Sequence, residues 1–337
     1  MTWNLPGVPW LIAHKSMLQV NKPKMFTICG KDYVLWKNET GEVSALENIC
    51  PHMGAKLSDG WICPNTNTIA CPFHALEFDN QGRAILPNEK ISKPLAKPLE
   101  LFFQGDFIWT YANEKPKLPI PDVLEKLSSQ YRYIGSTKEV TIKAPFIDAL
   151  EINHDLNHAK GTHREIFRIN ATKVDDFQDN GYYSISKIRH FRAENTFQEY
   201  LKNPSLLFTP KVLELVLENY FPSLVVVYTD TPVGKAIQIF IIYPETETTT
   251  RTFIPIFAEK SFGILNPLLE KSTIKSTEKI IYQDGGMLET LYPKFEPKIR
   301  LENEEPVHWV RKHYYSWNDL TPLPPFPRRE GGRIQSY

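Results

Sequence analysis

Two short stretches concentrate soft metal donors. Residues 50 to 55 read Cys-Pro-His-Met-Gly-Ala, and residues 71 to 74 read Cys-Pro-Phe-His. Each supplies one thiol and one imidazole: Cys50 with His52, and Cys71 with His74. Four such donors on two turns could hold one zinc ion or a two-iron cluster. Zinc sites usually take Cys-x-x-Cys or His-x-x-x-His pairs that close on one ion. One thiolate and one imidazole per turn let each turn reach both metals of a cluster. Pro51 and Pro72 stiffen the turns, and Gly54 permits close backbone approach. The remaining cysteines, Cys29 and Cys63, stand at no ligand spacing from a histidine and read as a buried thiol and a loop thiol. This usage points to metal binding in a reducing compartment rather than to a disulfide framework.

A second set lies further on. Asp155, His158 and His163 have the spacing Asp-x-x-His-x-x-x-x-His. The apolar positions Phe146, Ile147, Leu150 and Ile152 predict a helix through residues 145 to 163. On it Asp155 and His158 would share a face, and a distortion near Gly161 would bring His163 to the same point. Two neutral imidazoles and a carboxylate form the facial set that holds non-haem Fe(II) with positions open for O2 and substrate. The third ligand has to come from elsewhere in the chain. His14, His190, His308 and His313 read as ordinary core or surface histidines, and the aromatic residues between 191 and 228 mainly as core.

These residues need elements to hold them. Residues 26 to 112 read as short strands punctuated by turns, rich in β-branched and aromatic residues. The proline- and charge-rich stretch 113–122 reads as a stiff, exposed linker. Beyond it, strands are expected around residues 180–191, 222–230, 235–245 and 248–257. A helix is expected over 273–292, with Ile280, Ile281, Asp284, Met287, Leu288 and Leu291 along one side. An α+β protein of two domains follows, 1–118 and 119–337. Its 27 prolines and 16 glycines argue against a long helical bundle.

Composition narrows the function classes. Lys plus Arg and Asp plus Glu are both 39, so charge makes no case for nucleic acid or an anionic membrane surface. No apolar run is long enough to span a bilayer. The first residues lack a basic segment followed by an apolar one, so no signal peptide is expected and the cytoplasm is the expected location.

The paired turns resemble the Rieske [2Fe–2S] signature. With the Asp155–His158–His163 spacing behind them, the chain resembles the Rieske non-haem iron oxygenases. That resemblance implies an all-β Rieske domain followed by a helix-grip (START-like) catalytic domain with a curved antiparallel sheet. It makes Cys50, His52, Cys71 and His74 cluster ligands. It makes His158 and His163 ligands of a mononuclear Fe(II), and Asp155 an inter-subunit electron-transfer bridge. The distal carboxylate would come from a later helix, best matched by Asp284, with Glu289 as runner-up. His154 fits no family position. Ala55, Phe73 and Leu76 stand where respiratory Rieske domains carry two extra cysteines and a hydroxyl. A loop disulfide and a side-chain hydrogen bond to the cluster are thus missing, and a low-potential cluster is expected. Met53 leans toward single-subunit, steroid- or specialised-metabolite-type members.

The implied activity is that of a terminal oxygenase (EC 1.14 class). It would use O2 to hydroxylate, demethylate or desaturate a small, polycyclic organic substrate. No G-x-G-x-x-G context is present, so a separate ferredoxin or flavin reductase would relay electrons from NAD(P)H. A homotrimer is implied. The alternative is a Rieske-type electron-transfer protein without oxygenase chemistry, with a zinc-binding module more distant.

Overall fold

The structure, a computed structural model, describes residues 3–86, 89–194, 196–198, 210–231, 234–259, 266–292, 295 and 297–317. The N-terminal part is all β: β1 (Trp10–His14), β2 (Lys24–Ile28), β3 (Lys31–Lys37), β4 (Val43–Glu47), β5 (Trp61–Cys63), β6 (Thr68–Ala70), β7 (Glu77–Phe78), β8 (Arg83–Leu86), β9 (Glu89–Pro94), β10 (Phe102–Gln104) and β11 (Phe107–Thr110). They form antiparallel sheets ordered β1-β11-β10, β2-β3-β4 and β5-β6-β7-β8-β9. The strands expected in this region are present. The run 67–79 is split into β6 and β7 by the turn that carries Cys71 and His74.

The rest is mixed: α1 (Val123–Gln130), β12 (Arg132–Ser136), β13 (Val140–Ile142), α2 (Phe146–Ile152), α3 (Arg164–Phe167), β14 (Ile169–Asp179), β15 (Tyr183–Arg192), β16 (Val212–Tyr220), β17 (Leu224–Thr231), β18 (Gly234–Pro244), β19 (Thr250–Phe253), β20 (Pro255–Ala258), α4 (Asn266–Leu288) and α5 (Glu305–Ser316). The strands make one antiparallel sheet, β12-β20-β18-β17-β16-β15-β14, with β19 and β13 branching from β18. One face joins the N-terminal sheets in a core that includes Trp10, Phe107, Trp109, Val226, Ile239 and Phe257. The other face carries Ile188, Leu215, Leu217, Val225 and Val227, clustered with Leu156, and Ile256, clustered with Ile281 of α4. The α+β class and the helix-gripping antiparallel sheet are as expected.

Four details differ from the sequence reading. The helix over 145–163 stops at Ile152. There His154 Nδ1 bonds to the Leu150 carbonyl and Asp155 Oδ1 accepts from Asn157 N, so side chains replace helical partners and turn the chain aside. Stretch 113–122 is exposed at Glu114–Pro116 and Asp122, as expected of a linker, but is pinned between them. Leu118 is buried, and Lys117 N and Leu118 N donate to the Gly7 carbonyl. β14 and β16 have no counterpart among the expected strands: β14 is a polar edge strand with register shifts, and β16 buries Glu218 beside the Tyr220 hydroxyl. α4 ends at Leu288, short of the expected 292; in it Ile281, Asp284 and Leu288 are buried and Met287 is exposed, as is Leu291 beyond its end. Among the described residues, no helix is long and apolar enough to cross a membrane.

Candidate functional site

The Cys50 and Cys71 loops share one backbone design. Cys50 N donates to Ala55 O at 2.8 Å, and Cys71 N to Leu76 O at 2.9 Å. Gly54 N returns to Cys50 O at 2.9 Å, and Ala75 N to Cys71 O at 3.0 Å. The fourth residue after each cysteine is left-handed, Gly54 at φ 77° and Ala75 at φ 54°. Glycine takes that conformation freely, whereas alanine holds it at a cost of about 1 kcal/mol.

Both thiols sink into an apolar core with Val34, Trp36, Leu57, Ile69 and Phe78. All four cysteines are free, and Ala55 and Leu76 pack against this core. Burial pushes the Cys50 thiol up and the adjacent Cys71 adds to this, against main-chain N–H groups of His52 and Met53. His52 and His74 stand outside, exposed, with Nδ1 atoms 3.2 Å apart. Two buried thiols below two converging imidazole nitrogens fit a group that binds two thiolates on one side and two imidazoles on the other. Met53 and Phe73, 64% and 59% exposed, form an apolar rim around it.

The second set, with His163 and Asp284 buried and His158 half-buried, is assembled from distant segments. Past α2, a 3-10 turn at His158–Lys160 is followed by α3, whose N-cap is His163. Asp284 comes from α4, where Gly285 allows close packing: a Cβ there would lie 3.3 Å from Ile142. His158 Nε2 and His163 Nε2 are 3.2 Å apart, and Asp284 Oδ1 lies 3.5 Å and 3.1 Å from them.

The ring orientations are fixed from behind. His158 Nδ1 meets the Asp155 carbonyl oxygen, and His163 Nδ1 meets Gln283 Oε1 at 2.9 Å. With those protons on Nδ1, both Nε2 atoms present lone pairs. Asp284 Oδ1 is buried with no aligned donor. Three acceptors thus face one point, and ligands about 2.1 Å from one ion, roughly at right angles, lie about 3 Å apart. Burial alone would lower the His163 pKa, but Asp284 and Gln283 raise it above its ordinary value. The pocket favours positive charge, which a metal ion supplies.

Several sequence expectations are refined here. Asp155 and His158 do not share a helix face. The Asp155 main-chain carbonyl, not its carboxylate, meets His158, and Oδ1 accepts from Asn157 N at 2.8 Å. Glu289 is exposed and accepts from Lys143 N, away from the histidines. His154 is buried beside Trp309 and bonded to Leu150 O. Sequence reasoning missed Gln283; its place beside Asp284 was the available signal. A cavity of about 550 Å³ opens at His158 and Asp155 between α2, α4 and α5, rimmed by Met287, Leu291, Ile299 and Arg300. On its wall Arg311 grips Glu151, with Nε–Oε1 at 2.7 Å and Nη2–Oε2 at 2.5 Å.

A small β domain carrying paired Cys–His loops, followed by a helix-gripping sheet with a two-histidine, one-carboxylate pocket, defines a two-centre metalloprotein. Residues 9–95 match the family described as Rieske [2Fe-2S] domain, and residues 153–310 match the vanillate O-demethylase oxygenase C-terminal domain. The chain belongs to the Rieske non-haem iron oxygenases. It is 30% identical to cholesterol 7-desaturase of Ciona intestinalis over 45% of this chain and 33% of that protein. It is 29% identical to the oxygenase component of dicamba O-demethylase of Stenotrophomonas maltophilia over 46% and 47% of the two chains. The aligned stretches thus span a third to a half of these relatives' length. The crystal structure of dicamba monooxygenase bound to dicamba superimposes with a TM-score of 0.75 at 19% identity, covering 94% of this chain and 98% of that one.

Proposed function

We propose that this chain is the terminal oxygenase of a multicomponent system. It would take electrons from a separate ferredoxin or flavin reductase and use O2 to hydroxylate, demethylate or desaturate a small organic molecule. The carrying observation is the convergence of His158, His163 and Asp284, with ligand atoms all within 4.8 Å, in a chain that also bears the Cys50–His52 and Cys71–His74 loops. A Rieske electron carrier has no use for that second pocket. When bound, the cluster and the iron supply one-electron transfer and O2 activation.

The residues divide the work as follows. Cys50, His52, Cys71 and His74 hold the cluster, with the imidazole Nδ1 atoms inward. His158, His163 and Asp284 hold the iron, oriented by the Asp155 carbonyl and Gln283. Residues 1–118 and 119–337 form the two functional units. Asp155 lines the 550 Å³ cavity, and its carboxylate would bridge to His74 of a second copy. Among the described residues, no hydrogen bond, ion pair or ring contact joins the cluster loops to the 153–163 turn within one chain. A head-to-tail trimer would bring the exposed Met53–Phe73 tip of one copy into the Met287–Leu291–Ile299 cavity of the next.

The apolar sheet face supports a substrate with an apolar, polycyclic skeleton. Relatives named for cholesterol and dicamba agree with hydrophobic ring substrates. The test is a single turnover of prereduced protein with O2 and a metabolite panel, analysed for product. Cluster oxidation coupled to a hydroxylated, demethylated or desaturated product supports the reading. Cluster oxidation with no product from any panel member contradicts it.

A further inference from the structure

His190 lies on β15, only 6% exposed, and its Nδ1 is 2.8 Å from the Thr172 hydroxyl on β14. Side chains alternate along a strand, so Ile188, His190 and Arg192 share one face. Both neighbours on that face reach the segment carrying His158 and His163. Ile188 clusters with Leu156, and Arg192 Nε donates to Phe167 O at 2.7 Å, at the end of the helix capped by His163. His190 is therefore bracketed by contacts to the segment that carries the iron pocket. Below it the face is an apolar wall of Ile188, Leu215, Leu217, Val225 and Val227.

Among the described residues, the His190 Nε2 atom has no hydrogen-bond partner. Nε2 is not sealed off, so a ligand or water can meet it and complete the hydrogen bonding of this largely buried imidazole. Burial, with His158 and His163 nearby, holds the imidazole down at about 4, so it is neutral near pH 7. A hydroxyl that donates to Nδ1 leaves the remaining proton on Nε2, making it a donor. A neutral donor at the edge of an apolar wall suits an uncharged oxygen, whereas a carboxylate would favour a charged partner.

We propose that His190 is a substrate-positioning residue, donating from Nε2 to a carbonyl or hydroxyl oxygen on an otherwise apolar, ring-containing substrate. In this arrangement the Thr172 hydroxyl donates to Nδ1, the one of its two possible directions that leaves the proton on Nε2, and the oxygen anchors one end of the skeleton beside the iron pocket. This rests on the oxygenase reading above and narrows its substrate class.

The test uses holoprotein carrying cluster and Fe(II), kept anaerobic, with binding measured by calorimetry. The probes are paired neutral polycycles: naphthol against naphthalene, fluorenone against fluorene, and tetralone against tetralin. In the unaltered protein at least one oxygenated member should bind about tenfold tighter than its hydrocarbon. His190→Phe should bring that ratio close to one. His190→Gln, whose amide can place a donor near the Nε2 position, should restore most of it. If His190→Phe does not retain both metals, Thr172→Val decides, with an expected loss of several-fold in the same ratio. An unchanged ratio in the deciding variant, or no preference in any pair, overturns the proposal. Iron content and EPR spectra of the same samples keep the readings separate: a missing second iron with the preference intact counts against the oxygenase reading alone.

Discussion

Around Cys50 and Cys71 the site is made locally: each loop closes on itself through main-chain bonds within six residues, Cys50 to Ala55 and Cys71 to Leu76. Around His158 the site is made globally. Its donors come from a 3-10 turn, a helix N-cap and α4, and are aimed by the Asp155 carbonyl and Gln283. The first site sits at an exposed tip, where it can meet another molecule. The second lies deeper, with His163 and Asp284 buried and His158 half-buried at a cavity mouth, and Asp284 and Gln283 favour positive charge there. A local site loses its metal through its own ligands, whereas a global site is also sensitive to the residues that aim them.

The largest expected effects separate the two sites. Cys50→Ser or His74→Ala should abolish the red-brown colour and the Rieske EPR signal, lowering iron from about three to about one per chain. Retention of colour and signal in both variants would reject the loop ligand set. His158→Ala, His163→Ala and Asp284→Ala should each lose the single iron and turnover while keeping the cluster signal. Glu289→Ala should keep both, and the opposite pattern for Asp284→Ala and Glu289→Ala would move the third ligand.

Asp155→Asn should keep both metals, because a main-chain carbonyl aims His158. It should slow oxidation of the reduced cluster by about two orders of magnitude, read in a single turnover with substrate and O2. An unchanged rate, or a strictly monomeric active protein, would remove the bridge. Gln283→Leu should weaken iron binding by about 10- to 100-fold in a chelator competition without altering the cluster. Unaltered affinity would mean that Gln283 does not aim His163.

The smallest effect concerns stability. Burial holds His154 down at about 4, against an ordinary 6.5. Between those values the unfolded chain binds a proton that the folded chain refuses. Its contribution to stability is therefore greatest above pH 6.5 and falls as the pH drops toward 4, by at most about 3 kcal/mol. His154→Leu should flatten the dependence of Tm on pH in that window, and an identical slope in the variant would show that His154 does not set it.

The same contrast explains what was legible in the sequence. The Cys–His loops could be read because a local site writes all its donors into two short runs. The strands β15, β17, β18, β19 and β20 were legible from their apolar and β-branched runs. β14 was not, because a polar edge strand has no buried face to announce it. The histidine pair was visible by spacing, but its geometry was not: His154 and Asp155 end α2 through side-chain bonds that helical periodicity does not encode. Asp284 depended on family resemblance, and Gln283 and His190 emerged only when the sheet and α4 were folded around them.

The central claim is that one chain carries two iron centres, one at the tip loops and one at His158–His163–Asp284. Iron content with EPR of the reduced protein tests it most directly, comparing the unaltered chain with Asp284→Ala. The account predicts about three irons and a Rieske signal for the first, and about two irons with the same signal for the second. About two irons per chain in both, with the Rieske signal unchanged, would contradict it and leave an electron-transfer protein in its place.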